Sequence, residues 1–204
     1  MSAPSRLQAL QLIAFGRHTS AAALAQATDW PEAQATDLLA ELAGEGLLDE
    51  SGRITDAGRA AVTGLLTAER AQTDLAALGA LYERFQRTND KLKHVVTAWQ
   101  LREGEGDELI PNDHSDPDYD DEVRERLARL DASFGPVLDE MIELVPRWDV
   151  HRHRFDTALA QIDGGDDRYI ASPLLDSYHT VWFELHEELM QVQAIDRLAE
   201  ETHA

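Results

Sequence analysis

The sequence predicts a mainly α protein in two parts. An N-terminal helical segment with one short two-stranded hairpin precedes a bundle of four to five helices. Apolar residues recur at helical spacing over most of the 204 residues, and only the stretch LLDESGRIT has the strand–turn–strand character of a hairpin. Hydrophobic residues make up 43% of the chain, enough for two cores. We place the boundary after residue 70, giving domains 1–70 and 71–204.

The first three helices of the N-terminal part follow one another closely. The first spans residues 6–15, and Thr19 or Ser20 can cap a second by accepting from free first-turn amides. Asp29 is expected to cap a third helix with Pro31 in its first turn, and this helix ends at Gly44 or Gly46.

A hairpin and a fourth helix complete this part. The two strands of LLDESGRIT meet at a tight turn, Ser51–Gly52, and Asp56 is expected to cap a helix that begins at Ala57. Helix, helix–turn–helix, two-stranded wing and helix is the order of a winged helix-turn-helix.

The stretch GLLDESGRITDAGRAAV resembles the wing and following helix of MarR- and PadR-type regulators. The resemblance covers roughly residues 6–66 and implies DNA binding, with the third helix in the major groove. The side chains available for such contacts are Arg17, Gln34, Thr36, Arg53 and Arg59.

The charge pattern disfavours DNA as a partner. Residues 31–52 contain no lysine or arginine, and residues 1–70 carry nine acidic side chains against five arginines. The whole chain has a net charge of -21, a field that repels nucleic acid and anionic membrane surfaces. The alternative is a winged helix used as a protein-interaction or packing module.

The C-terminal part begins with a long helix. From Leu75 to Trp99 its apolar positions alternate steps of three and four, interrupted only by Asn89. An acid-rich loop follows, and a helix starting at Asp116–Pro117 is expected to kink or split at Gly135–Pro136. Pro146 ends it. A further helix reaches Ile162, and the last helix is expected to run from Pro173 to the end of the chain.

The stretch DSYHTVWFELHEEL, residues 176–189, carries the most unusual side chains. On a helical wheel centred on Trp182, His179 and His186 fall within the apolar stripe. The same wheel gives a solvent-facing side formed by Ser177, Thr180, Glu184, Glu187 and Glu188. The two histidines therefore fill the core or line a polar pocket.

The pocket hypothesis gains from Asn89, because a buried amide must find hydrogen-bond partners. If the long helix packs beside the last one, a ligand site with aromatic walls forms between them. The residues predicted for this site are Asn89, Trp99, Arg102, Tyr178, His179, Trp182 and His186. A small-molecule effector is the expected partner. The alternative is an Asn89 that only fixes helix register.

Metal binding is the weaker alternative. His179 and His186 lie seven residues apart, too far to share an ion, so the one helical ligand pair is Asp176 with His179. In the acid-rich loop, Asp116, Asp118 and Asp120 alternate, but the glycine and glutamate of a calcium loop are replaced by Asp121 and Leu127. No cofactor is expected.

Composition limits the remaining classes. Zero cysteines exclude disulfides, zinc–thiolate sites and a cysteine nucleophile. No apolar run has the length of a membrane span, so a cytoplasmic protein is expected. No phosphate-binding glycine loop or nucleophile elbow is present, and whether the protein is an enzyme stays open, with no motif in favour.

A second resemblance concerns the C-terminal part. The stretches DSYHTVWFELHEEL, TNDKLKHVVTAWQLR and PNDH are similar to helical segments that accompany actinobacterial phosphotransfer enzymes of the pyruvate phosphate dikinase group. This similarity implies an accessory or regulatory role.

The sequence thus gives three functional hypotheses. The first is a homodimeric, ligand-responsive transcriptional regulator, in which a small molecule changes the spacing of two winged helices. The second is an accessory protein that does not bind DNA and docks through its acidic winged helix. The third is a helical metal- or cofactor-binding enzyme.

Overall fold

A computed structural model describes residues 5–104 and 108–195 of the chain. The winged helix comprises four helices: α1 (Arg6–Ala14), α2 (Ala21–Thr28), α3 (Glu32–Gly44) and α4 (Asp56–Arg70). The predicted mainly α fold, with an N-terminal winged helix and a C-terminal helical bundle, is confirmed.

Side-chain caps fix where the first helices begin. Of the two candidate caps of α2, Ser20 is the one used, because its Oγ accepts from the amide of Ala23. Asp29 does not cap α3. It ends α2 in the left-handed conformation, with φ 58°, and Pro31 occupies the N-cap position of α3. At α4 the cap is Thr55, whose Oγ1 accepts from the amide of Gly58, so the helix begins one residue earlier than predicted.

The wing is shorter than the predicted pair of strands. It consists of one antiparallel bridge, Leu48 to Ile54, around a turn closed by Asp49, which accepts from the amides of Ser51 and Arg53. Gly52 completes the turn with φ 76°, a conformation that favours glycine. The regular sheet of the described residues lies elsewhere, in the segment predicted to be an acid-rich loop.

That sheet is a small antiparallel hairpin between two long helices. Helix α5 (Leu75–Gln100) leads directly into β1 (Leu101–Glu103), which pairs with β2 (Leu109–Pro111) in the register Arg102 to Ile110. Residues 105–107 of the predicted loop lie outside the described part. The N-cap of α5 is Asp74, which accepts from the amides of Ala76 and Ala77.

Helix α6 (Pro117–Leu144) runs antiparallel to α5 and shares its apolar seam. Asp116 caps it, and the helix continues through Gly135–Pro136, so it is not split there. Its apolar face buries Val123, Leu127 and Phe134 against α5, and this burial compensates for the amide hydrogen that Pro136 lacks.

Three further helices close the bundle. A short 3-10 turn, Pro146–Trp148, precedes α7 (Asp149–Asp163), and the short α8 (Arg168–Ala171) follows. The last described helix is α9 (Tyr178–Gln193), capped by Ser177, five residues later than the predicted start at Pro173. Helix α9 ends at Gln193 instead of the chain end, and residues 196–204 of the prediction lie outside the described part. No helix among residues 5–104 and 108–195 has the length and apolar character to cross a membrane.

Candidate functional site

The most unusual chemistry of the structure surrounds α9. This helix contacts α4, α5, α7 and α8, so it has neighbours on most of its circumference. The prediction of a solvent-facing side is wrong for four of its five members. Ser177, Thr180, Glu184 and Glu188 are buried, and Glu187 is half-buried. Two carboxylates one helical turn apart are thus enclosed between the bundle and the winged helix.

Glu184 belongs to the first of two charge networks. It is fully buried, and its Oε2 accepts from Nη1 of the equally buried Arg154 at 2.6 Å. Arg154 also donates from Nε and Nη2 to both oxygens of Asp176, each at 3.0 Å. Arg17, from the segment between α1 and α2, forms ion pairs with Glu184 and Asp176. We call these four residues, with His18, the Glu184 network.

His18 ties the winged helix to this network. Its Nε2 lies 2.9 Å from Oδ2 of Asp176, and 4% of the residue is exposed. Burial alone would raise the pKa of Asp176, but the hydrogen bond from His18 and the charge of Arg154 outweigh it. These contacts hold that pKa well below its ordinary value. Asp176 is therefore an anion throughout the physiological range.

Glu188 is the centre of the second network. Its Oε2 accepts from Nε1 of Trp148 at 2.9 Å and from Arg147, and its Oε1 lies 3.2 Å from Nε2 of His151. Arg147 also donates to both oxygens of Glu69 on α4, at 2.8 and 3.0 Å. We call these residues the Glu188 network. It joins the last helix of the winged helix to α7 and α9.

Burial and charge shift the titration of this second network. Burial by itself would raise the pKa of Glu188, but the charge of Arg147 and the hydrogen bonds from Arg147 and His151 lower it to about 2. Burial lowers the pKa of His151, against the opposing effect of Glu188, so the imidazole is neutral at physiological pH. Both networks thus combine arginines and carboxylates that stay charged with a histidine.

A cavity of about 220 Å³ opens beside the Glu184 network, between α2 of the winged helix and α7 and α8 of the bundle. We call it the junction cavity. Its polar lining is formed by Arg17, His18, Gln26, Arg154, Thr157 and Asp176. The apolar lining comes from two alanines of α2, from Tyr169, and from Leu174 and Leu175. Both structural units therefore line the same cavity.

Part of the pocket predicted between α5 and α9 does assemble. Trp182 donates from Nε1 to Oδ1 of Asn89 at 2.9 Å, and Nε2 of His186 lies 3.2 Å from the hydroxyl of Tyr82. Tyr178 is buried on the same helix and donates to Asp131 at 3.0 Å.

This region is an aromatic core. The ring of Trp182 lies 4.6 Å from that of Phe85 and 4.5 Å from that of Phe134, centroid to centroid. Asn89 thus has a specific structural partner, the indole of Trp182. Ligand binding at these residues stays a prediction, and the junction cavity lies at a different place.

Trp99, at the far end of α5, and Arg102, in β1, lie apart from the other predicted pocket residues. The ring of Trp99 packs 4.3 Å from that of His114, whose Nδ1 lies 3.1 Å from Oδ2 of the buried Asp120. Arg102 lies 3.8 Å from Asp113 and above the ring of Tyr119. These contacts anchor the β1–β2 hairpin to α6.

His179 is exposed, which corrects its predicted place in the apolar stripe. Asp176, suggested as its partner in a metal site, is instead bound by His18 and Arg154. Asp116 caps α6, whereas Asp120 is buried against Asn112 and His114, so the alternating aspartates do not converge. Within the described part of the chain, no three His, Asp or Glu side chains are arranged to hold a metal ion.

The side chains predicted to contact DNA are also dispersed. Arg17 points into the Glu184 network and is held there by ion pairs. Gln34 and Thr36 are exposed on α3, and Arg53 is exposed at the wing. Arg59 is exposed on α4 and pairs with Asp56 of the same helix.

Sequence reasoning missed His18, Glu69, Arg147, Arg154 and the two buried glutamates of α9. One signal was available. Glu184 and Glu188 are spaced by four residues, and His151 and Arg154 of the HRHR stretch by three, so each pair shares one face of its helix. Two such faces attract each other because their charges are opposite, but only the structure shows that they are in contact.

Comparison with known proteins identifies the N-terminal unit. No curated protein and no solved structure matches the chain. Residues 7–82 match the model of a family described as wHTH-PRTase associated, in which PRTase denotes phosphoribosyltransferase. The match covers α1 to α4 and the first two turns of α5. It supports the winged helix, and it does not support the MarR or PadR type in particular. The N-terminal part of this chain, residues 7–82, is a winged helix-turn-helix similar to those associated with phosphoribosyltransferases.

Proposed function

We propose that this protein is an accessory protein that does not bind DNA and that docks onto a phosphoribosyltransferase through its winged helix. The observation that carries the proposal is an exposed acidic surface where DNA-binding winged helices present basic or amide groups. The description of the matching family supplies the class of partner.

The acidic surface is formed by α3 and the wing. Six carboxylates are exposed there, and residues 31–52 contain no lysine or arginine to offset them: Glu32, Asp37, Glu41, Glu45, Asp49 and Glu50. We call these six residues the acidic face. Such a surface repels phosphates and attracts a basic protein surface.

Nearby cations do not reverse this field. Arg6 is bound by Glu41 and Glu45, and Arg17 is held in the Glu184 network. Arg53 is the one arginine of the wing, and a single phosphate contact gives too little affinity for a stable DNA complex.

The orientation of the winged helix supports the same use. Its α4 packs against α9 and its α2 against α7, so this side is covered by the bundle. Helix α3 buries Ala35, Leu38 and Leu42 inward and leaves its acidic side exposed. The acidic face is therefore presented outward on a rigid support.

Charge reversal tests the proposal. The triple variant Glu32→Lys, Asp37→Lys, Glu50→Lys changes exposed side chains of the acidic face. The matched control, Glu83→Lys, Glu143→Lys, Asp163→Lys, makes the same change in net charge on exposed positions of the bundle. Binding to the phosphoribosyltransferases encoded in the same genome is measured by calorimetry at about 50 and about 300 mM salt.

We expect wild type and the control to bind one of these enzymes, more weakly at high salt. The acidic-face variant should lose at least about tenfold in affinity. Absence of binding by the wild type, or equal affinity of the two triple variants, would overturn the proposal.

A DNA-binding, ligand-responsive, homodimeric regulator is the second candidate. The feature that favours it is the winged helix itself, with an exposed third helix and Arg53 at the wing. Titration against the protein's own upstream DNA and against random duplex distinguishes the two. Tight, sequence-dependent binding at about 150 mM salt would favour the regulator, whereas no binding even at low salt would favour the accessory protein.

A further inference from the structure

The charges beside the junction cavity cancel. Arg17 and Arg154 line it, and both form ion pairs with the carboxylates of Asp176 and Glu184. The guanidinium groups of both arginines therefore lie against carboxylates, and two cations are balanced by two anions. A charged ligand would find no free counter-charge here, so the lining favours an uncharged ligand.

One buried nitrogen of a histidine in this lining has no hydrogen-bond partner. Nε2 of His18 lies 2.9 Å from Oδ2 of Asp176, and because that carboxylate is an anion, Nε2 carries the hydrogen of this bond. In the neutral imidazole the other nitrogen, Nδ1, is then an acceptor. It is buried, and no residue that the structure describes donates to it. Buried polar atoms are nearly always hydrogen-bonded, so this acceptor fits an N–H or O–H donor of a ligand.

Much of the remaining lining offers apolar contacts. Ala23 and Ala27 of α2 contribute one wall, and the half-buried Leu175 and Tyr169 of the bundle contribute another. Leu174 adds an apolar side chain with 85% of its surface exposed. The volume of about 220 Å³ is below the roughly 300–1,000 Å³ of sites for drug-sized ligands. The occupant is therefore small, with an apolar body the size of a single ring.

We propose that the junction cavity binds a small uncharged molecule with an N–H or O–H donor and an apolar body. The donor hydrogen-bonds to Nδ1 of His18. The apolar body lies against Ala23, Ala27 and Leu175. Because α2 and α7 both line the cavity, the bound molecule contacts both structural units and stabilises the docking of the winged helix on the bundle.

Three probes that share a phenyl ring test the donor and the charge. N-methylbenzamide has an N–H, methyl benzoate replaces that N–H by an oxygen at nearly the same size, and benzoate carries a negative charge. Each is titrated into the full-length protein at constant pH and ionic strength, and binding is followed by calorimetry and by the shift in Tm. We expect saturable binding of N-methylbenzamide with a Kd of about 1 mM or lower, and a rise in Tm. Methyl benzoate should bind about fivefold more weakly because it cannot donate to His18, and benzoate should bind more weakly still.

Variants of the lining locate the binding. His18→Gln keeps a donor for Asp176 at the position of Nε2 and removes the acceptor Nδ1. Ala23→Leu places a larger side chain in the lining, and the matched control Ala22→Leu makes the same change at an exposed position of α2 outside the lining. Thr157→Leu fills the cavity from α7, in case Ala23→Leu does not fold.

Filling the cavity should weaken binding of N-methylbenzamide at least about tenfold, and Ala22→Leu should bind it as the wild type does. His18→Gln should bind N-methylbenzamide and methyl benzoate with equal affinity, because the acceptor that distinguishes them is gone. The proposal fails if N-methylbenzamide does not bind saturably to the wild type, or if benzoate binds as tightly. It also fails if the folded cavity-filling variant binds with the affinity of Ala22→Leu, or if His18→Gln keeps the wild-type preference. No arm of the experiment involves a phosphoribosyltransferase, so this inference and the proposed function are tested separately.

Discussion

Glu184 and Glu188 lie one turn apart on α9, and each buried carboxylate accepts from a different arginine: Glu184 from Arg154, and Glu188 from Arg147. A buried ion pair brings little net stability over an apolar pair, but removal of one partner leaves a buried charge uncompensated. The junction between winged helix and bundle is therefore specific, and it is sensitive to single substitutions.

Glu184→Gln should lower the free energy of unfolding by roughly 3 kcal/mol, because Arg17 and Arg154 lose a buried counter-charge. Urea unfolding followed by circular dichroism measures the change. The control is Glu125→Gln, which removes an exposed pair with Arg129 and should cost less than about 1 kcal/mol. Equal losses in the two variants would contradict a structural role for the Glu184 network.

The depressed pKa of Glu188 predicts an acid-dependent stability. Its folded pKa of about 2 lies below the ordinary 4.5, so the stabilisation is complete above pH 4.5 and is lost as the pH falls toward 2. Its full size is roughly 3 kcal/mol. The difference in unfolding free energy between wild type and Glu188→Gln should therefore narrow on acidification below pH 4.5. A pH-independent difference would show that folding does not lower the pKa of Glu188.

His151 predicts a second pH effect nearer neutrality. Burial lowers its pKa below the ordinary 6.5, so below that pH the unfolded chain binds a proton that the folded protein does not. Wild type should lose stability relative to His151→Gln as the pH falls from 7 to 5. The exposed His94→Gln is the control and should follow the wild-type curve. Parallel curves for all three proteins would refute the prediction.

Two glycines of α4 form a matched pair. A Cβ at Gly58 would lie 2.3 Å from the carbonyl oxygen of Leu47 and 2.6 Å from Cγ1 of Ile54, whereas a Cβ at Gly64 meets no atom within 4 Å. Gly58→Ala should thus destabilise the wing by about 1–3 kcal/mol. Gly64→Ala should stabilise the helix by about 0.5–1 kcal/mol. Thermal unfolding of the two variants measures both changes in stability. A Tm for Gly58→Ala at or above that of the wild type would contradict the close approach of Leu47 and Ile54 to Gly58.

The hydrogen bond between Asn89 and Trp182 is expected to hold the aromatic core in place. Asn89→Ala leaves the buried indole N–H without an acceptor, which should cost about 1–3 kcal/mol. Near-ultraviolet circular dichroism reports the environment of Trp182. The control is Gln100→Ala, at an exposed position of the same helix. It should leave both the free energy of unfolding and the near-ultraviolet spectrum unchanged. If the two variants have the same free energy of unfolding and the same spectrum, the hydrogen bond does not stabilise the aromatic core.

Much of the fold could be predicted because local chemistry determines it. Ser20 and Asp116 cap helices through their own side chains, and the seam of α5 follows from apolar spacing alone. The predictions were wrong where a neighbour decides the outcome. A helical wheel shows that Glu184 and Glu188 share a face, but it does not show that Arg154 of α7 and Arg147 of the preceding 3-10 turn cover that face.

The predicted site shows the same limit. Asn89 and Trp182 were expected to be close, and they are, because both belong to the facing seams of α5 and α9. Trp99 lies ten residues further along α5, roughly 15 Å at the helical rise, and so contacts the hairpin instead. The junction cavity was not predicted, since α2, which forms one wall, lies far in sequence from α7 and α8, which form the others.

The junction also imposes an order on synthesis. Gln11 of α1 hydrogen-bonds to Gln191, His18 to Asp176, and Glu69 to Arg147, so the winged helix is joined to segments made long after it. On the ribosome, the side of the winged helix that packs on the bundle is not fully covered until residues 178–193 emerge. The acidic face needs none of those late segments, and the nascent winged helix therefore presents its proposed docking surface before the rest of the protein has formed.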